Sequence, residues 1–301
     1  MTSMNIMQPT PTPEQCGTCP ARAQLARMGL NIEQYDRVVA LAGNPNTGKS
    51  TVFNALTGLR QHTGNWPGKT VTRAEGGFAF NGVRYKLVDL PGTYSLLSAS
   101  QDEEVARDFI LFGQPDCTIV VMDATALERN LNLALQVLEI TDKVVLCVNL
   151  MDEARRKGLE VDVRSLARDL GVPAIPTRAR SGEGLPDLLQ AVAGVISGER
   201  RTAPRRPQAP PALQRAVEEL VPMIEALVPG LVNARWVAYR LLEGDHRVRQ
   251  ALLSGELDHL ARPQNARPEK GTVPISPGSV PTSGFGEMGT DPVSRRNGDS
   301  P

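Results

Sequence analysis

The stretch Gly43–Ser50, GNPNTGKS, constrains this chain more than any other. It follows the apolar run Val38–Ala42 and precedes Thr51-Val52-Phe53-Asn54-Ala55-Leu56, which reads as a helix. Strand, glycine loop and helix in that order are the setting in which G-x-x-x-x-G-K-[ST] holds phosphate. The loop residues Gly43, Asn44, Pro45, Asn46, Thr47 and Gly48 are placed to wrap a polyphosphate, and the helix that begins around Thr51 turns its positive end toward it. Lys49 can reach the β- and γ-phosphates, and the Ser50 hydroxyl is positioned to ligate Mg²⁺.

The chain has 301 residues, enough for one or two domains with a sizeable core. Formal charge is zero, so bulk electrostatics give no reason to expect a nucleic-acid partner. No apolar run approaches the roughly 18–20 residues that cross a bilayer, and the first residues lack a signal-peptide layout. The four cysteines are too few for a disulfide framework. Cys117 and Cys147 fall in strand-like runs and read as reduced core residues, which suits a cytosolic compartment. Cys16-Gly17-Thr18-Cys19 has the spacing of a redox pair or half a metal site, but with no second pair nearby a solvated leader with incidental thiols fits better.

Five regions follow from the pattern. Residues 1–36 read as a largely disordered leader that ends in an amphipathic segment, Ala21–Leu30. Residues 37–196 alternate strands and helices. This predicts an α/β P-loop NTPase domain, a Ras-like, mostly parallel six-stranded sheet covered by helices on both faces. Within it Arg60–Thr72 reads as irregular, and Asn81-Gly82 marks a hairpin that makes one edge antiparallel. Asp162 and Gly171 read as the N-cap and C′ residues of a helix over Val163–Leu170. Residues 197–211 are a Pro/Arg-rich linker, 212–254 a small all-α domain, and 255–301 a disordered tail.

Four further signals follow the phosphate loop. Thr70 lies where a switch threonine completes Mg²⁺ coordination and senses the γ-phosphate. Asp89-Leu90-Pro91-Gly92 closes a strand: Asp89 can hold the metal through water, and the Gly92 N–H can bond the γ-phosphate. Asn149-Leu150-Met151-Asp152 follows the strand Val144–Val148. A carboxylate at Asp152 can accept guanine N1–H and N2–H₂, and adenine would leave it buried and unpaired. Asn149 can tie this base loop to the phosphate loop. Arg178-Ala179-Arg180 stands where a second base loop belongs, with the Ala179 N–H available to guanine O6. Each signal is common alone. All five in this order describe a guanine-nucleotide-binding domain.

The runs GNPNTGKSTVFNALTG, HTGNWPGKTV, DLPGTYSL and NLMD resemble the cytoplasmic G domain of the bacterial ferrous-iron transporter B family, with Gly64–Gly68 the most family-specific part. The likeness extends through Leu213–Leu253, which resembles the family's nucleotide-dissociation-inhibitor-like helical module. It implies that Gly68, Lys69, Thr70, Val71 and Thr72 act together as the switch that meets GTP or GDP. It also implies K⁺, held partly by Asn46, as an activator beside Mg²⁺, and a place at the cytoplasmic face of the inner membrane on a transmembrane iron permease. Residues 254–301 contain no spanning run, so the chain alone is expected to be soluble and, as it stands, unable to conduct iron. An oligomer is allowed for, and no nucleic-acid partner is expected. Two departures from the family stand out: Arg178 replaces a usual serine, and Lys69 a usual apolar residue.

The function expected is GTP binding and slow hydrolysis that regulates or drives Fe²⁺ uptake, with Asn46, Lys49, Thr70 and Gly92 carrying the chemistry. The alternatives are a free-standing GTPase of ribosome assembly or RNA modification, and a nucleotide-sensing switch without hydrolysis. Slowness follows from Thr93 standing after Gly92, where many small GTPases carry a water-orienting glutamine.

Overall fold

The computed structural model describes residues 20–58, 61–97, 100–206, 209–231 and 233–257. Seven strands form one sheet: β1 (Arg37–Gly43), β2 (Gln61–Asn65), β3 (Thr72–Phe80), β4 (Val83–Asp89), β5 (Cys117–Asp123), β6 (Val144–Asn149) and β7 (Ala174–Pro176). Their spatial order is β2-β3-β4-β1-β5-β6-β7. From β4 to β7 every pairing is parallel, and β2–β3 and β3–β4 are antiparallel. The hairpin between β3 and β4 turns at Asn81 and Gly82, both at positive φ, as a two-residue primed turn requires.

Alternation along β1 explains the layers. Val38, Ala40 and Ala42 point into one core and Val39 and Leu41 into the other, because successive strand residues face opposite sides. The first core is closed by α1 (Pro20–Arg27), α3 (Gln101–Gly113), α4 (Leu127–Ile140) and α6 (Val163–Leu170). The second is closed by α2 (Lys49–Thr57) and α7 (Leu185–Ser197), and α5 (Met151–Arg156) follows β6. Asp162 accepts from the Ser165 N–H and Gly171 ends α6 at φ +73°, the two caps expected from sequence. Cys117 and Cys147 lie in the second core as free thiols. Burial pushes both up, Cys147 to about 12, so neither is a ready nucleophile.

Three helices follow: α8 (Pro211–Leu227), α9 (Ala234–Leu242) and α10 (His246–Leu253). Their core takes in Leu111 and Phe112, so the end of α3 is shared between the sheet domain and this helical domain. Asn233 accepts from the Trp236 N–H at the start of α9, and its amide donates to Ile140 O at 3.0 Å, meeting the carbonyl end of α4. No helix among the described residues is long and apolar enough to cross a membrane.

Three expectations change. The sheet has a seventh strand, because Gln61–Asn65, read as irregular, pairs with Thr72–Gly76 at the edge. Its residues 62–65 are exposed, so no apolar alternation marked it. The leader does not stay free up to residue 36: Leu25, Leu30 and Ile32 are buried in the first core, and Arg73 donates to Met28 O and Gly29 O. The linker is strapped down, with Ala203 N–H on Gly171 O, Arg205 N–H on Leu170 O and Arg206 Nε on Leu138 O. Residues 1–19, with Cys16 and Cys19, and the tail beyond 257 lie outside the described residues.

Phe112 is 3% exposed in the shared core. Phe112→Ala is expected to lower unfolding stability by about 3–5 kcal/mol, read by urea denaturation. A loss below about 1 kcal/mol would mean that the helical domain does not rest on α3.

Candidate functional site

The phosphate loop, the Asp89 turn and the two base loops stand at or just beyond the C-terminal ends of the parallel strands, the side of such a sheet where ligands bind. The phosphate loop leaves β1 at Gly43, where a Cβ would lie 2.7 Å from Val121 O. Only glycine lets β5 pass that close. Gly48 sits at φ +80° with the Asn149 amide where its Cβ would be, so glycine is required twice over. Thr47 turns its hydroxyl onto Asn44 O at 2.9 Å and is buried. Asn46 is exposed on the rim of the loop at φ +67°. Ser50 and Thr51 are exposed in the first turn of α2.

Lys49 Nζ pairs with Asp89 and donates to Leu90 O at 2.7 Å, which joins the phosphate loop to the end of β4. Burial pushes the Asp89 carboxyl above its ordinary value, although Lys49 draws it back. Leu90 is core, and its N–H donates to Leu41 O. Beyond Pro91, Gly92 lies against the loop, where a Cβ would be 3.6 Å from Pro45 Cα. The next residue, Thr93, is buried, donates its N–H to Gly43 O at 3.3 Å and its hydroxyl to Ser95 O at 2.7 Å. Its hydroxyl and its N–H are both committed to the backbone.

The base side converges on Asn149. Its Nδ2 donates to Thr47 O at 3.0 Å, and its Oδ1 accepts from the Ala179 N–H at 3.0 Å. One side chain thus holds phosphate loop, first base loop and second base loop together. Thr177, 1% exposed, adds a hydroxyl to Asn149 Oδ1 at 3.2 Å and lies 3.2 Å from Cys147 Sγ. The sequence reading missed Thr177; its place just before the second base loop was the available signal. Leu150 adopts φ +61°, and its Cδ2 would lie 3.8 Å from a Cβ on Gly48. It packs beside the glycine loop where the common motif has a lysine stem. Met151 donates its N–H to Thr177 O at 3.4 Å, and Asp152 follows in the first turn of α5, partly exposed, 3.7 Å from Arg156.

Two placements differ from expectation. The Ala179 N–H, expected to face guanine O6, is spent on Asn149. Arg178 pairs with Glu183 and Arg180 is exposed on the 3₁₀ turn Ala179–Ser181. The switch segment lies on α3 rather than at the phosphate loop. Lys69 pairs with Glu104, and the Thr70 hydroxyl donates to Gln101 Oε1 at 3.2 Å. Among the described residues no hydrogen bond or ion pair joins Thr70 to Ser50, Asp89 or Asn46. Gly68, at φ +69°, belongs to a turn closed by Lys69 N–H on Trp66 O and Trp66 N–H on Val71 O. Val71 packs on the first core and Thr72 opens β3. Trp66 is itself buried, edge-on to Phe109 of α3.

The donor set suits a hard divalent cation. The Ser50 hydroxyl and the Asp89 carboxylate are oxygen ligands of the kind Mg²⁺ takes, and the glycine loop has room for backbone alone. The exposed Asn46 amide offers a neutral oxygen of the kind a monovalent cation takes.

The family model of ferrous iron transport protein B matches residues 37–192, more than half of the chain. The chain belongs to that family. The model of the family's cytosolic helical domain matches residues 210–270. The Fe(2+) transporter FeoB of Escherichia coli K12 is 40% identical over 211 residues, 69% of this chain and 27% of that protein. The chain therefore spans about a quarter of the length of such curated relatives. Among solved structures, the G domain of T. maritima FeoB superposes with a TM-score of 0.50 at 44% identity, covering 53% of this chain and 98% of that one. The cytosolic domain of T. maritima FeoB in its GMPPNP form gives 0.65 at 34% identity, covering 72% and 85%. Residues 37–192 are thus a family G domain, followed from residue 210 by the family's cytosolic helical domain.

Asn149→Ala would leave Thr47 O and the Ala179 N–H without their side-chain partner. At about 1–3 kcal/mol for an unmet group, guanine-nucleotide affinity is expected to fall roughly 10- to 100-fold, alike for GDP and a GTP analogue. Titration of fluorescent nucleotides reads this, and an affinity within about twofold of the parent would contradict it.

Proposed function

We propose that this chain binds GTP in Mg²⁺, hydrolyses it slowly with K⁺ stimulation, and thereby regulates or drives Fe²⁺ uptake by a membrane permease at the cytoplasmic face of a bacterial inner membrane. The observation that carries the reading is the Asn149 bridge, which joins the glycine loop to the two segments read as base loops. The T. maritima relative solved with GMPPNP supports a triphosphate ligand. Relatives named Fe(2+) transporters support the transport role.

Within this reading each residue has a task. The loop Gly43–Gly48 and the start of α2 hold the phosphates, and Lys49 exchanges its Asp89 partner for phosphate oxygens. Ser50 and Asp89, directly or through water, would hold Mg²⁺, which when bound supplies neutralising charge for phosphoryl transfer. Asn46 would hold K⁺, whose charge would add to that of the metal. Thr70 leaves Gln101 to complete the site, and the Gly92 N–H accompanies it. Thr93 gives no help with water, so intrinsic turnover is slow.

Asp152 carries base choice. Asp152→Ala should abolish preference for GTP over ATP and leave the circular-dichroism spectrum unchanged. A variant that still discriminates like the parent would place the guanine site elsewhere.

The cation is tested at matched ionic strength, since screening alone acts equally in KCl and NaCl. The rate of phosphate release should rise in KCl only, and Asn46→Ala should abolish the rise while keeping much of the GTP affinity. Removing comparable electrostatic stabilisers costs roughly 3–4 kcal/mol, so the effect should be large. Equal rates in the two salts for the parent would rule the cation out.

A further inference from the structure

Glu104, on α3, receives two cations from different parts of the chain. Its Oε2 meets Lys69 Nζ of the switch segment. Its Oε1 accepts from Arg247 Nε at 3.1 Å and from the neighbouring guanidinium nitrogen. Its side chain is only 10% exposed. Burial alone would raise the Glu104 pKa, but Lys69 and Arg247 together hold it below its ordinary 4.5, so it is a paired carboxylate near neutrality. Arg247 is the second residue of α10, in the helical domain, and its N–H is fixed by the Asp245 carboxylate at 3.0 Å. Lys69 immediately precedes Thr70, whose hydroxyl rests on Gln101, three residues before Glu104 and on the same face of α3.

We propose that Lys69, Glu104 and Arg247 form a shared-carboxylate latch through which the helical domain sets how readily the switch leaves α3 for the nucleotide. The inference rests on the GTP-switch reading above, because it needs Thr70 to move from Gln101 to the phosphate side. When Thr70 moves, Lys69 must leave Glu104. A buried carboxylate stripped of its only cation is costly, whereas one that keeps a second cation is not. Arg247 supplies that second cation. The helical domain therefore favours release of the switch, and Lys69 opposes it. Lys69, Glu104 and Arg247 are positioning residues: they act on Thr70 through the segment that carries it. An apolar residue at position 69 would leave Glu104 and Arg247 paired with no connection to the switch, so the latch depends on the Lys69 ammonium.

The test is the ratio of affinities for GMPPNP and GDP, measured by fluorescent-nucleotide titration in Mg²⁺ on the full 301-residue chain. Arg247→Gln is expected to lower the GMPPNP:GDP ratio about fivefold, the upper range for a partly exposed ion pair. Lys69→Val should raise the ratio, and in that background Arg247→Gln should have no further effect. Arg247→Lys should restore the ratio at least in part. Should Arg247→Gln fail to fold, Glu104→Gln serves: it should raise the ratio as Lys69→Val does, and the double variant should match either single one. Equal effects of Arg247→Gln in both backgrounds, additive effects of Lys69→Val and Glu104→Gln, or a ratio that no variant moves would overturn the latch. A parent that binds both nucleotides while the variants stay unmoved sinks the latch alone. A parent that binds neither sinks the GTP reading and the latch with it.

Discussion

Parallel pairing of β1 with β4 on one side and β5 on the other is the constraint on which the remaining geometry depends. Parallel strands end on the same edge of a sheet, so the residues that leave them meet whatever their distance in sequence. Leu41 pairs with Asp89 and Asp123 with Asn149, which brings the phosphate loop, the Asp89 turn and the base loop onto one rim. The Lys49–Asp89 ion pair and the Asn149–Thr47 hydrogen bond then close short gaps that the strand register has already set. Removing Gly43 or Gly48 would break this rim from within, because a side chain there meets backbone or the Asn149 amide.

The second constraint is α3, one helix serving two cores. Val105, Ala106, Phe109 and Ile110 face the sheet, while Leu111 and Phe112 face the helical domain. Gln101 and Glu104, one turn apart, carry the switch. A helix packed on both sides in this way ties the seat of the switch to the core of the helical domain. Asn233 on the α4 carbonyls adds a second contact between the helical domain and the sheet domain, and the linker over 203–206 is bonded to the ends of α6 and α4.

The switch segment is held in two different ways along its length. Trp66 and Val71 anchor its base in the core, and Arg73 binds the leader's Met28 and Gly29 carbonyls. Its tip is held by charge, through Lys69 on Glu104. Base and tip are thus fixed by different physics: burial holds the base, and an ion pair that a competing anion could dissolve holds the tip.

Local chemistry in the sequence determined the phosphate loop, the helix over Val163–Leu170 with its Asp162 and Gly171 caps, the Asn81-Gly82 hairpin and the three terminal helices, since each rests on neighbours within a few residues. The order of motifs was also enough to name a guanine-nucleotide domain, because each motif carries its own chemistry. Tertiary structure alone decided the rest. The edge strand Gln61–Asn65 has no apolar pattern, and its residues 62–65 are exposed; only the proximity of β3 makes it a strand. The roles of Thr177 and Glu104, the loss of the Ala179 N–H to Asn149, and the seat of Lys69 depend on partners 28 to 143 residues away. No spacing rule reaches that far: what such groups bond is settled by which elements the sheet brings side by side.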